Sequence, residues 1–135
     1  MPGEKVTSAG RRIDAYHPAL IELGRVMIDD VVYEVQTAQV TATASGNTQL
    51  LAAILLLRFK ILAWTIWSDT ELRVKIQDAA GTPVVLVDAF PAARGGGIDS
   101  VYKENDKLST ANTVLNVNLS GAGNVFVKIW YVEVS

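Results

Sequence analysis

Residues 71–77 alternate between polar and aliphatic side chains, and this period of two is the strongest constraint on what the chain can fold into. Leu72, Val74 and Ile76 fall on one side of an extended backbone, and the residues between them are charged or polar. A helix would mix the two sets, because its side chains repeat every 3.6 residues. The segment therefore predicts a strand with one face in a core and one face in water.

Similar extended segments continue from Ala19 to the end of the chain, separated by residues typical of turns. In the segment 113–119, apolar residues at odd positions predict an inward face, and the glycine-rich residues 120–124 predict a hairpin turn into a last strand, 125–134. Further turns are predicted at residues 29–30, 45–47, 68–70 and 78–83. Residues 91–100 are expected to be a loop, and residues 101–111 a polar surface excursion.

The most apolar part of the chain, residues 50–67, resists a single interpretation. Arg58 and Lys60 interrupt it at its middle, which argues against a membrane span. The first part, Leu50–Leu57, fits a short buried helix as well as a buried strand. The second part, Phe59–Trp67, is rich in aromatic and branched residues and predicts a central strand covered on both faces.

These elements define a fold class. About eight strands with no convincing amphipathic helix predict an all-β protein, a two-layer antiparallel β-sandwich of jelly-roll-like or immunoglobulin-like connectivity, with a closed barrel as the alternative. The sandwich domain is expected to span residues 19–135. Residues 1–18, which are cationic and contain Pro2 and Pro18, predict an extended N-terminal arm or a disordered terminus.

Composition excludes several classes of function. The chain has no cysteine and one histidine, His17, which removes thiol nucleophiles, cysteine-ligated metals and histidine-rich metal sites. Its net charge of −2 gives no field that would attract nucleic acid. A catalytic triad would have to place its base, His17, in the arm. We therefore expect a protein that is not an enzyme, uses no cofactor, and binds neither nucleic acid nor membrane.

Three local features have residue types that occur in binding sites. Gly95-Gly96-Gly97 lacks the lysine and the helix of a phosphate-binding loop. The carboxylates of Asp99, Glu104 and Asp106 lack the spacing of a calcium loop and are interpreted as solvated charges. Trp64 and Trp67 should face opposite sides of one strand, so buried aromatic residues are favoured over a sugar-binding platform.

The apolar character of two strands suggests assembly. Residues 59–67 and 125–134 are apolar on both faces, whereas an isolated sandwich normally leaves one face of each sheet in water. The sequence therefore predicts a homo-oligomer, with a trimer as the candidate state. The candidate partner contacts, in the arm and in the loops, are Arg11, Arg12, Tyr16, His17, Arg94 and Tyr102.

Several motifs between residues 44 and 134 resemble those of small tailed-bacteriophage virion proteins. They run from an Asn-Thr turn through a basic strand start, a glycine loop and a terminal aromatic strand. In this chain they are Asn47-Thr48, Arg58 and Lys60, Val74-Lys75-Ile76-Gln77, Gly95-Gly96-Gly97, Asn118-Leu119-Ser120 and Tyr131-Val132-Glu133-Val134.

The resemblance implies a non-enzymatic β-sandwich component of the phage particle. It points to a decoration or cement protein on the capsid exterior that binds the major capsid protein lattice as an oligomer and stabilises the head. The same fold would also serve a tail or neck component, and a third possibility is a module that binds carbohydrate on the host surface. The resemblance carries no catalytic residue with it.

Overall fold

The computed structural model describes residues 24–91, 96–101 and 108–135. These residues form ten β-strands and no helix. The chain divides into two compact units, Met1–Val35 and Gln36–Ser135. The strands are β1 (Arg25–Ile28), β2 (Val31–Glu34), β3 (Gln36–Ala42), β4 (Gly46–Leu51), β5 (Arg58–Ser68), β6 (Val74–Asp78), β7 (Val85–Ala89), β8 (Gly96–Val101), β9 (Leu115–Leu119) and β10 (Val125–Val134).

In the first unit, β1 and β2 pair as an antiparallel hairpin. The turn predicted at Asp29 and Asp30 is confirmed, and both residues have positive φ, 51° and 64°. A two-residue turn with two positive φ angles matches the right-handed twist of the strands that flank it. Val31 and Val32 are exposed on the returning strand, whereas Val26 and Ile28 are buried.

The second unit is the predicted two-layer antiparallel β-sandwich. Its first sheet has the strand order β3-β10-β5-β8, and its second sheet has the order β4-β9-β6-β7. The pairing is nested: β3 pairs with β10, β4 with β9, β5 with β8 and β6 with β7. Strands far apart in sequence therefore lie side by side, and each sheet contains strands from both the early and the late part of the unit.

The core of the sandwich consists of the side chains that face inward from both sheets. Leu72, Val74 and Ile76 are all buried, which confirms the alternation predicted for residues 71–77. The rings of Phe59 and Tyr131 meet edge to face, with their centroids 5.7 Å apart. The other fully buried aliphatic residues of this core include Ile66, Leu115, Val117, Val125, Val127 and Ile129.

The loop predicted over residues 91–100 is wrong in its second half, because Gly96–Val101 forms β8. In this strand, Gly96 pairs with Ser68 and Gly97 with Trp67. Sheet hydrogen bonds join backbone groups, so β5 can hold a segment that has little strand propensity of its own. The first half of the excursion predicted at 101–111 lies outside the described residues, apart from Val101 in β8.

The hairpin turn predicted at residues 120–124 is also wrong. The strands on either side of it belong to different sheets, so the segment crosses from one layer of the sandwich to the other. Backbone bonds fix this crossing at three points: Ser120 N donates to Arg73 O, Gly123 N to Thr43 O, and Asp69 N to Asn124 O. Glycine content alone does not distinguish a hairpin from a crossing.

Residues 50–57 form neither of the elements predicted for them. β4 ends at Leu51, and residues 52–57 make a tight turn before β5 begins. Within the turn, the N–H of Leu57 donates to the carbonyl of Ile54. Ile54 packs against the core, whereas Leu55 and Leu56 point into solvent. The expected burial of the whole run is therefore wrong at its tip.

Candidate functional site

The predicted partner contacts fall outside the part of the chain that the structure describes. This holds for Arg11, Arg12, Tyr16, His17, Arg94 and Tyr102, for the arm over residues 1–18, and for Glu104 and Asp106. Among the described residues, no group of three or more histidine, cysteine, aspartate or glutamate side chains is placed to hold a metal ion. In the same residues, no helix has the length and apolarity needed to cross a membrane.

The outward face of the first sheet is the larger of two candidate interaction surfaces. Its composition depends on a β-bulge in β5, where Trp130 pairs with Ala63 and Tyr131 with Ile61, so that Leu62 is the extra residue. Before the bulge, odd-numbered residues face the core, and after it, even-numbered ones do. Without the bulge, Trp67 would share the inward face of Phe59, whereas the structure leaves it 42% exposed.

Three aromatic side chains share this outward face. Trp67 lies directly across from Phe126 on the neighbouring strand. Trp130 is further along the same strand as Phe126, and the Nζ atom of Lys128 lies 5.0 Å from the centroid of its ring. An ammonium group at this distance from an indole ring is attracted to the ring's π face. As predicted, Trp64 points the other way and packs against the core.

Part of the same outward face is already shielded from solvent. Leu62 and Val132 are almost fully buried although they lie outside the sandwich core, and Lys60 is only 8% exposed. The remaining aromatic end, at Trp67 and Phe126, is partly open. We call the side chains of Trp67, Phe126, Lys128 and Trp130 the aromatic face.

The outward face of the second sheet is mainly polar, and Val85, across from Gln77, is an apolar residue on it. Arg73 and Asp88 form a two-point ion pair there, with Nη2 2.6 Å from Oδ2 and Nε 2.8 Å from Oδ1. These hydrogen bonds lower the pKa of Asp88 and raise that of Arg73. The other polar outward residues of this sheet are Asn47, Gln49, Lys75, Gln77, Asn116 and Asn118.

The second candidate surface is the turn over residues 52–57, and Asn112 holds it in place. The N–H of Leu56 donates to Oδ1 of Asn112, and the N–H of Asn112 donates to the carbonyl of Leu57. Leu56 and Asn112 both have a φ of 64°. Leu55 is 78% exposed and Leu56 is 68% exposed. We call Leu55 and Leu56 the leucine tip.

A buried serine extends this attachment along the chain. Ser109 is 0% exposed; its Oγ accepts the N–H of Phe59 at 2.7 Å, and its own N–H donates to the Phe59 carbonyl at 3.0 Å. A side-chain nitrogen of Arg58 reaches the carbonyl of Ser109. The segments 54–59 and 109–112 are therefore tied together over several residues, so Ser109 is a structural residue and not part of a solvated excursion.

A buried carboxylate organises the loops at the same end of the sandwich. Oδ1 of Asp78 accepts the N–H groups of Ala80 and Val84, and Oδ2 accepts the N–H of Thr110 at 2.7 Å. Burial of the carboxylate opposes its ionisation. The N–H donors outweigh this effect, so that the pKa of Asp78 lies below 3.8. The carboxylate connects the 78–84 hairpin to the start of β9.

The sequence predicts surplus apolar faces on β5 and β10, but it predicts neither the outward direction of Trp67 nor the leucine tip, for identifiable reasons. The bulge at Leu62 depends on how β5 pairs with β10, and no local motif announces it. The leucine tip had one signal, because an apolar run of residues 50–67 is longer than one buried strand requires. Asn112, which holds the tip, is remote in sequence and was not singled out.

No protein-family model matches this chain, and no curated protein matches it.

Proposed function

We propose that this protein is a non-enzymatic structural component of a tailed-phage particle, a decoration protein that binds the major capsid protein lattice on the capsid exterior as an oligomer, with a trimer as the candidate state. By covering a junction between capsid subunits it would add buried surface that must be broken before the shell opens. The proposal includes the nested strand pairing, which we interpret as a jelly roll, an architecture found in viral capsid domains and in lectins.

The observation that carries the proposal is the contrast between the two outward faces of the sandwich. The second sheet presents mainly amides and charges, with Val85 as an aliphatic residue among them, whereas the first presents the large aromatic side chains of Trp67, Phe126 and Trp130. Large apolar side chains grouped on one outward face are typical of an interaction surface. The outward face of the first sheet would then contact the partner, and that of the second sheet would face solvent.

Co-sedimentation with undecorated shells of the phage's major capsid protein tests this function. We expect the full chain to pellet with the shells at saturable stoichiometry and Trp67→Gln to bind at least several-fold more weakly. Lys75→Gln, on the polar outward face, is the matched control and should bind as the wild type does. A wild-type chain that stays in the supernatant would overturn the proposal. Sedimentation equilibrium of the free chain tests the oligomer, and a monomer would contradict it.

The arm over residues 1–18 has its own test, because the candidate partner contacts Arg11, Arg12, Tyr16 and His17 lie in it. A chain without residues 1–18 should bind the shells more weakly than the full chain. Equal binding would remove the arm from the interface. Imaging of labelled particles would distinguish the capsid exterior from the tail or neck.

A carbohydrate-binding module is the second candidate, favoured by the presence of two tryptophans on one outward face. Aromatic rings offer flat apolar surfaces to sugar rings, and Thr37, Gln39 and Thr41 supply hydroxyl and amide groups on the adjacent strand. Saturable binding on a glycan array that Trp67→Gln abolishes would support this function over shell binding.

A further inference from the structure

The free edge of β3 is the least protected strand edge in the described part of the chain. β3 is the outermost strand of the first sheet, and among the described strands it pairs only with β10. On the free side of an edge strand, every second residue points its N–H and carbonyl groups away from the sheet. These groups can pair with a strand of another molecule, so the edge is a candidate site for strand addition.

The other three edge strands of the sandwich carry features that discourage such pairing. β4 has a β-bulge at Leu50, and β7 has one at Leu86. β8 contains the charged residue Asp99. Bulges and charged residues on edge strands are common means by which proteins prevent pairing with other chains. These three edges are therefore poor sites for strand addition.

β3 has neither of these features. It pairs with β10 in an unbroken register over its whole length, from Gln36 to Ala42. Its sequence, QTAQVTA, contains no charge, no proline and no glycine. Thr37, Gln39 and Thr41 are exposed on its outward side. A regular, uncharged edge strand of this kind is a template for pairing with another strand.

The sequence of β3 is nearly symmetric about Gln39, which indicates a second copy of the chain as the partner. When two β3 strands pair antiparallel about this residue, Thr37 lies opposite Thr41, and Ala38 lies opposite Val40. Gln39 lies opposite its own copy, where each amide can donate an N–H to the carbonyl of the other. Threonine pairs are favourable across antiparallel strands, and no like charges meet in this register. The strand is therefore complementary to itself.

The inner side of β3 also favours a second copy. Ala38 and Val40 are partly buried and pack against the core of the sandwich. In the symmetric register, Val40 of one copy lies beside Ala38 of the other, so part of their remaining apolar surface would be covered. The contact would thus combine backbone hydrogen bonds with the burial of apolar surface.

We propose that β3 pairs antiparallel with β3 of a second copy about a two-fold axis at Gln39. This pairing joins the four-stranded first sheets of the two molecules into one continuous sheet. A two-fold contact closes at two copies, so it does not build the trimer of the proposed function. It goes beyond that function and does not depend on binding to a shell.

A cysteine introduced at the axis tests the contact, because the chain has none of its own. Residues directly opposite each other in an antiparallel pair have Cα atoms about 4.5–5.5 Å apart, a separation that a disulfide spans. Mild oxidation of the free chain should therefore convert most of a Gln39→Cys variant to a covalent dimer. Gln49→Cys, exposed on the edge strand β4, is the matched control and should give at least about tenfold less dimer. Equal yields would overturn the proposal.

Two further single-cysteine variants test the register. Thr37→Cys and Thr41→Cys each place the new thiol four residues along the strands from its own copy, or about 13 Å. This distance is too long for a disulfide. Neither variant should crosslink alone, whereas a mixture of the two should give the mixed dimer. If Thr37→Cys crosslinks to itself as readily as Gln39→Cys does, the two-fold register is wrong.

Sedimentation equilibrium measures the association without a crosslink. Gln39→Lys places two like charges opposite each other at the axis, at an exposed position where lysine should not disturb the fold. We expect the dissociation constant of the dimer to rise at least about tenfold. Gln49→Lys is the control and should associate as the wild type does. A Gln39→Lys variant that associates as well as the wild type would overturn the contact. A chain that crosslinks through position 39 but does not bind shells would overturn the proposed function alone.

Discussion

Leu56 and Asn112 are 56 residues apart in sequence, yet they share a φ of 64° and a hydrogen bond from the Leu56 N–H to Asn112 Oδ1. Both residues have a left-handed backbone conformation, and each donates its N–H to the segment that contains the other. The relationship couples the loop before β5 to the loop before β9. The position of the leucine tip therefore depends on a residue that is itself solvent-exposed.

Substitutions of Asn112 should separate the contribution of its side-chain hydrogen bond from that of its positive φ. Asn112→Gly keeps the positive φ and loses only the acceptor, whereas Asn112→Ala loses the acceptor and strains the backbone. We expect Asn112→Ala to lower the free energy of unfolding by about 1–2 kcal/mol more than Asn112→Gly does. Urea denaturation measures both. Gln39→Ala, at an exposed position of β3, is the control and should change little, and equal losses for the two Asn112 variants would contradict the strain argument.

The buried carboxylate of Asp78 should be essential to the loops at this end of the sandwich. Asp78→Asn places an NH2 group against backbone N–H donors, so at least one of its three hydrogen bonds is lost. We expect the free energy of unfolding to fall by about 1–3 kcal/mol, the usual cost of an unsatisfied buried polar group. Asp30→Asn is the matched control. Asp30 is exposed with a φ of 64°, which asparagine tolerates, so that variant should be as stable as the wild type.

The same carboxylate predicts the direction of acid sensitivity. The pKa of Asp78 in the folded chain lies below the value of 3.8 expected when it is unfolded. Its contribution to stability is therefore complete above that pH and is lost as the pH falls through the lower, folded value. Asp69 and Asp88 have lowered pKa values as well and act in the same direction, although both are more exposed.

Denaturation curves at pH 7 and pH 3 test this prediction. The wild type should lose stability between the two, and Asp78→Asn should lose less, because the residue that titrates has been removed. A wild type and a variant with the same loss would show that Asp78 does not contribute to the pH dependence.

How much of this fold the sequence predicts depends on whether an element is determined by its own side chains or by its pairing with another strand. The strand that contains Leu72, Val74 and Ile76 is predictable, because these buried residues alternate with polar ones. Gly96 and Gly97 do not, because their strand is made by backbone pairing with β5. The direction of Trp67 is set by the bulge at Leu62, a property of two paired strands.

The candidate surfaces follow the same division. An apolar excess on β5 and β10 was predictable, since it follows from composition along each strand. The leucine tip was not, because exposure of Leu55 and Leu56 depends on Asn112, and local hydrophobicity predicts the opposite. From the sequence alone, Leu55 and Leu56 are indistinguishable from core residues.

The crossing between the two sheets provides a steric prediction. A Cβ atom added at Gly123 would lie 2.9 Å from Cβ of Thr70 and 3.1 Å from a methyl group of Leu72. The first of these atoms is attached directly to the backbone and cannot rotate away, so the loops must separate. We expect Gly123→Ala to lower the free energy of unfolding by about 1–3 kcal/mol, as overpacking does elsewhere. Gly121→Ala, two residues earlier in the same crossing, meets nothing within 4 Å and should be close to neutral.

Thermal or urea unfolding of the two alanine variants measures the difference, and equal stabilities would mean that the crossing is not closely packed. Combining Gly123→Ala with Thr70→Gly should recover part of the loss, since that second change removes the atom with which the new methyl group collides.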